Sequence, residues 1–282
     1  MGRLVGISGV MWASGLALAL VSGAAVGAPP AKGKAAHKFD AKATAQLLSS
    51  AEPERLREGF AAVKAAGKDA SPVLPLLVRL LGRGLSGELT KDALSATAAV
   101  GDPSSSAEIA RYAKHRDADI RRSALAALLK TRGAAAVPAM RAALSDADAR
   151  VRGTAATGLG ALGAREALPD LTLALERKVI EAAAAIGQLC KDDECEAFAK
   201  ETTKVPLDVM TSGFDQILFR ADVGDDQKVK IVGRIRELGT GEAHKFLKDV
   251  AGRFSGAARV KQALEQAAQA TAGSPGAKKE GE

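Results

Sequence analysis

Residues 148–176 read DARVRGTAATGLGALGAREALPDLTLALE, and residues 117–145, DADIRRSALAALLKTRGAAAVPAMRAALS, lie over them without a gap at an offset of 31. Asp117, Arg121, Ala124, Leu128, Pro138 and Leu144 recur as Asp148, Arg152, Ala155, Leu159, Pro169 and Leu175. Ile120, Val137 and Met140 are matched conservatively by Val151, Leu168 and Leu171. In the later copy Val151, Ala155, Leu159 and Leu162 follow i, i+4, i+8, i+11 and form the stripe of a first helix; Leu168, Leu171 and Leu175 form that of a second. Gly163 lies between the two, and Pro169 sits near the start of the second, where its missing N–H costs little. The earlier copy repeats this plan with Gly133 and Pro138. Each copy is a helical hairpin that cannot bury its own apolar face and must stack on further copies.

Outward from this pair the period weakens. One step back, Leu89, Ala93, Leu94 and Ile109 stay in register, and Leu56, Phe60, Pro75 and Leu80 fit after an insertion of about two residues. Forward, Val179, Ala183 and Ile186 fit a first helix after a deletion, and a last unit is expected from Asp226 to Phe254, followed by a terminal helix over 257–272. Roughly six units result, the outer ones degenerate as end caps are. The composition agrees, because Ala, Leu and Val supply most of the apolar content, against seven Phe, one Tyr and one Trp. Small aliphatic side chains suit closely stacked helices better than a β-sandwich. The expected fold is therefore all-α, an α-solenoid of stacked helical hairpins over residues 39–272.

The motif Asp148-Ala149-Arg150-Val151-Arg152, then Ala155, Leu159, Leu162-Gly163, Ala167-Leu168-Pro169, Leu171 and Leu175, resembles the HEAT-repeat family, in particular its short Ala-rich, phycobilisome-lyase-like form. The resemblance is good over 89–176, fair over 51–88 and poor over 190–225. It implies a curved α-solenoid whose second helices line the concave face and bind a protein partner; nothing in the motif is catalytic. Asp117 and Asp148 stand where a carboxylate caps a first helix, and Arg121 and Arg152, one turn on, are expected to meet acids of the adjoining unit in a register-setting ladder. If second helices line the groove, Arg79, Arg83, Arg111, Lys114 and Arg141 are the candidate partner-binding residues. The rival functions are a phycobilin-lyase-like chaperone or enzyme and a passive envelope component.

The ends of the chain differ from its middle. Leu4 to Ala28 carries no charge, follows Arg3, and ends Val26-Gly27-Ala28 before Pro29-Pro30, the layout of a signal peptide over 1–28. The chain is then expected to be exported, periplasmic or secreted; the alternative is an uncleaved inner-membrane anchor, which its many Gly, Ala and Ser residues make weakly hydrophobic. Residues 29–38 read as a flexible linker and 273–282 as a disordered tail. Loss of the leader removes Arg3 and takes the net charge from +7 to +6. Cys190 and Cys195, the two cysteines of the chain, are expected to form a disulfide in an oxidising compartment. Asp192, Asp193, Glu194 and Glu196 around them deter a thiolate, which argues against redox chemistry.

Other chemistry finds little footing. Gly82-Arg83-Gly84-Leu85-Ser86-Gly87 satisfies a dinucleotide-binding pattern, yet it follows a helical segment containing Pro75 and precedes no βαβ unit, so it reads as a turn between repeats. His37, His115 and His244 are scattered, and two thiols without a neighbouring histidine are too few for structural zinc. The scarcity of aromatic residues disfavours the stacking used for nucleic acids and glycans. No catalytic residue, cofactor or metal is expected, and the partner class left is protein.

Overall fold

A computed structural model describes residues 39–275. The leader expected over 1–28, the rival anchor and the linker over 29–38 lie outside the described residues. Of the expected tail, Gly273 to Pro275 form turns, and the Pro275 carbonyl accepts from the Gly241 N–H at 3.0 Å; the remainder lies outside.

Among the described residues the regular structure is helical throughout. The helices are α1 (Ala41–Leu48), α2 (Pro53–Ala66), α3 (Leu74–Arg83), α4 (Gly87–Val100), α5 (Ser106–Tyr112), α6 (Ala118–Thr131), α7 (Ala136–Ala143), α8 (Ala149–Leu162), α9 (Leu168–Glu176), α10 (Glu181–Leu189), α11 (Asp192–Lys200), α12 (Leu207–Phe219), α13 (Asp225–Glu237), α14 (Gly241–Arg253) and α15 (Ala258–Thr271). None is long and apolar enough to cross a membrane. From α2 to α12 each even-numbered helix packs along the next even one, while odd-numbered helices meet from α3 to α7 and again from α11 to α15. Two layers of alternating helices result, with α1 laid over α2 and α3 at one end.

The 31-residue period fixes the local geometry. Asp117 and Asp148 cap α6 and α8, the first accepting from Asp119 N at 2.8 Å and the second from Arg150 N at 2.9 Å and Val151 N at 3.1 Å. Those N–H groups, Val151 first, hold the Asp148 carboxyl below the usual range. The stripe residues Val151, Ala155, Leu159 and Leu171 are fully buried, as are Ile120, Ala124 and Leu128 one period earlier. Even-numbered helices end on left-handed residues 31 apart: Gly101 at φ +71°, Arg132 at +52° and Gly163 at +73°. Gly133 lies between α6 and α7 as the sequence indicates, one residue past the left-handed Arg132; a Cβ there would stand 2.2 Å from Ser106 Oγ, so close packing on the preceding repeat explains it.

Past Glu176 the plan continues with different residues. Residues 190–225, illegible as a repeat, supply α11 and α12, and this shifts the pairing of the later helices. Helices α13 and α14 follow one another across a short turn as expected from Asp226 to Phe254, but α13 stacks on α11 and α15 in the odd-numbered layer, so the two fall in different pairs. Seven consecutive pairs from α2–α3 to α14–α15 stand against the roughly six units expected. The core changes character here too: Phe198, Phe214 and Phe246 pack as tilted rings with centroids 5.1 and 6.2 Å apart, where the repeats from α4 to α9 use Leu, Ile and Met.

Candidate functional site

The motif residues turn inward to structure. Arg121 donates through Nε and Nη2 to both carboxylate oxygens of Asp146, each at 2.7 Å, and through Nη1 to the carbonyls of His115 and Arg116. It thereby ties the last turn of one repeat to the first turn of the next. Both side chains are largely buried, at 14% and 11% exposure, and Arg121 holds the Asp146 carboxyl below its ordinary value. Arg152 repeats the backbone half of this contact, donating to the carbonyls of Asp146 and Ala147 at 2.7 and 3.0 Å. It makes no ion pair among the described residues, because the position one period beyond Asp146 is Arg177. The expected ladder thus has one complete rung, at Arg121. Pro138 and Pro169 lie in the first turns of α7 and α9, where no intrahelical N–H is needed.

Cys190 and Cys195 are joined by a disulfide that links the end of α10 to α11, and both are fully buried. Arg220 seals the same corner, donating through Nη1 to the carbonyls of Gly187 at 2.7 Å and Cys190 at 3.0 Å, while Asp222 holds its other nitrogens. The glycine-rich run 82–87 closes α3 and opens α4, with Gly84 at φ +83°, a turn between repeats.

The candidate cations are all exposed, Arg79 and Arg83 on α3, Arg111 on α5, Lys114 just beyond it and Arg141 on α7. Arg111 is paired with Glu108 at 2.8 Å and Arg141 with Asp170 of the next repeat at 2.6 Å. Between α5 and α7 opens a groove of about 490 Å³, and of the five only Lys114 lines it.

A more continuous depression lies on the even-numbered layer. Between α10 and α12 a groove of about 520 Å³ is lined by Ile180, Glu181, Ala184, Gln188, Asp208 and Val209 among others. Between α12 and α14 a second of about 460 Å³ is lined by Leu207, Asp208, Asp215, Glu242, Phe246 and Asp249 among others. They share Asp208, Thr211 and Ser212 and so adjoin across α12. Farther along the same layer, Ser95, Ala98 and Ala126 floor a depression of about 660 Å³ rimmed by Lys64, Lys91 and Lys130. Sequence reasoning followed the buried stripes and the second helices, and passed over this surface. Its signal was available: Glu181, Ala184 and Gln188, like Asp208, Thr211 and Asp215, repeat at three- and four-residue spacing, the outward counterpart of an apolar stripe.

Comparison with known proteins identifies the central repeats. Residues 107–190 match the family of HEAT repeats. Solved structures similar to this chain include the complex of CpcE and CpcF of phycocyanin lyase from Nostoc, at 17% identity over 88% of this chain and 100% of that one, with a TM-score of 0.46. A designed armadillo repeat protein matches at 16% identity over 81% and 98%, TM-score 0.40, and an engineered protein at 16% over 82% and 96%, TM-score 0.40. At such identities these likenesses concern the fold alone. No curated protein matches the chain.

Proposed function

We propose that this protein is an exported, non-enzymatic scaffold that binds a protein partner on the surface of its repeats. The supporting observation is the series of open depressions between neighbouring even-numbered helices, each walled by side chains of successive repeats. Such a surface offers shape, apolar floor and charge over several repeats without requiring any one reactive group. Export is supported by the uncharged run Leu4–Ala28 and by a buried disulfide, which persists in oxidising compartments.

Photo-crosslinking residues placed at Leu173 on α9 and Ile180 beside α10, which are 44% and 55% exposed, sample the two layers separately. A single stoichiometric protein adduct from either position in cells supports the scaffold; none from both counts against it. Intact mass of the protein recovered from the envelope tests export, the expected product beginning at Pro29.

A further inference from the structure

We infer that the joined depression over α10, α12 and α14 is a docking groove for an extended, cationic peptide segment of the partner. The inference rests on the scaffold reading above and names the chemistry of what is bound.

Charge argues first. Residues 39–160 carry 18 Lys and Arg against 13 Asp and Glu, whereas residues 161–275 carry 16 against 18, and the groove itself is lined by five carboxylates against two cations, Lys245 and Arg253. Within the groove the carboxylates fall into two groups. Asp215 and Asp249 are both taken by Arg253, at 2.9 and 2.8 Å. Glu181 on α10, Asp208 on α12 and Glu242 on α14 make no ion pair among the described residues, so each successive helix contributes one carboxylate that a bound cation can satisfy. Acids in a first turn favour their own helix dipoles; that accounts for the residue type but not for the apolar floor beside them.

That floor is the second argument. Ile180, Ala184, Val209, Leu207 and Phe246 line the same groove as the acids, so the surface offers hydrocarbon beside carboxylate. Packed helices stand about 8–10 Å apart, and an extended chain of the polyproline-II type advances about 3.1 Å per residue with about three residues per turn, so that every third side chain faces the same way. A peptide crossing the three helices therefore brings every third side chain to a carboxylate row, with small apolar residues between. Nucleic acid is repelled by the same charges.

The test uses the full chain and a fluorescein-labelled peptide of about ten residues with Lys at every third position and Val and Ser between, beside a counterpart in which Glu replaces Lys. The expected result by fluorescence anisotropy is salt-sensitive binding of the Lys peptide and none of the Glu peptide. The triple variant Glu181→Gln, Asp208→Asn, Glu242→Gln should bind the Lys peptide about tenfold more weakly while keeping its helix content and melting temperature. Equal affinity of the triple variant, equal binding of the Glu peptide, or no binding of either overturns the inference. If the triple variant binds the Lys peptide as tightly as the unaltered protein while photo-crosslinking from Leu173 on α9 still yields the partner adduct, the scaffold reading survives and this groove is excluded.

Discussion

Gly187 and Gly213 bring α10 and α12 into backbone contact: a Cβ built on Gly187 would stand 2.2 Å from the Gly213 carbonyl oxygen and 2.8 Å from its Cα. A Cβ on Gly213 would in turn stand 2.4 Å from the Phe198 ring. The two helices that carry Glu181 and Asp208 therefore approach more closely than a side chain at either glycine would allow, and the shape of the groove depends on it.

Gly187→Ala should consequently destabilise the protein by about 2 kcal/mol or more, since neither backbone can yield without moving a whole helix. Gly233, inside α13, is the control, because a Cβ added there would meet no atom within 4 Å. Gly233→Ala should raise stability by about 0.5–1 kcal/mol through helix propensity. Urea unfolding of both variants checks the contrast; equal effects would show that the close approach has no energetic weight.

The Arg121–Asp146 pair should matter more than any exposed ion pair. Arg121→Ala leaves a largely buried carboxylate with the Asp148 N–H as its remaining donor and takes the side-chain donor from two carbonyls, and should cost about 2–3 kcal/mol, whereas Arg57→Ala, on the exposed pair with Glu54, should cost less than about 0.5 kcal/mol. Because the Asp146 pKa is depressed in the folded state, its contribution is present above about pH 4 and is lost as pH falls through the lowered folded value. The variant Asp146→Asn should therefore be less stable at neutral pH and show a shallower acid limb, read from melting temperatures between pH 2 and 7.

Closing the short loop between Cys190 and Cys195 should contribute about 2 kcal/mol on the chain-entropy model. Reduction, or Cys190→Ser with Cys195→Ser, should lower the urea midpoint without changing helix content. Equal masses after alkylation with and without prior reduction, once the alkyl groups are counted, would show free thiols instead.

Tyr112, the one tyrosine of the chain, donates its phenol to the Leu81 carbonyl at 2.5 Å, one full period away, and joins the ends of α5 and α3. Burial, reinforced by the Glu108 charge, raises its pKa above the usual value near 10. The neutral phenol is the favoured form, so its stabilisation is complete below about pH 10 and fades as pH rises through the folded value. Absorbance at 295 nm should titrate above a free tyrosine control in the folded protein and with the control in urea. Tyr112→Phe should cost about 1 kcal/mol.

Much of this architecture was written in the repeat. The spacing of Ile120, Ala124 and Leu128, and of their counterparts Val151, Ala155 and Leu159, determined the buried stripe of each first helix, and Asp117 and Asp148 marked where those helices begin. These are local properties: a helix starts and faces inward according to residues within a few turns of one another. The sequence alone also pointed to pairing of Cys190 with Cys195, its only possible intramolecular partner.

What required the tertiary structure was everything that depends on which helices become neighbours. Arg121 and Arg152 look alike, yet only Arg121 forms an ion pair among the described residues, because its partner Asp146 lies in the turn that leads into the next repeat and Arg177 occupies the corresponding place one period on. The pairing of α14 with α15 turned on a stretch, 190–225, whose glycines and phenylalanines obey contacts across helices rather than a period along one. The acidic groove belongs to the same class: Glu181, Asp208 and Glu242 are 27 and 34 residues apart in the chain, and only the stacking of α10, α12 and α14 sets them along one surface.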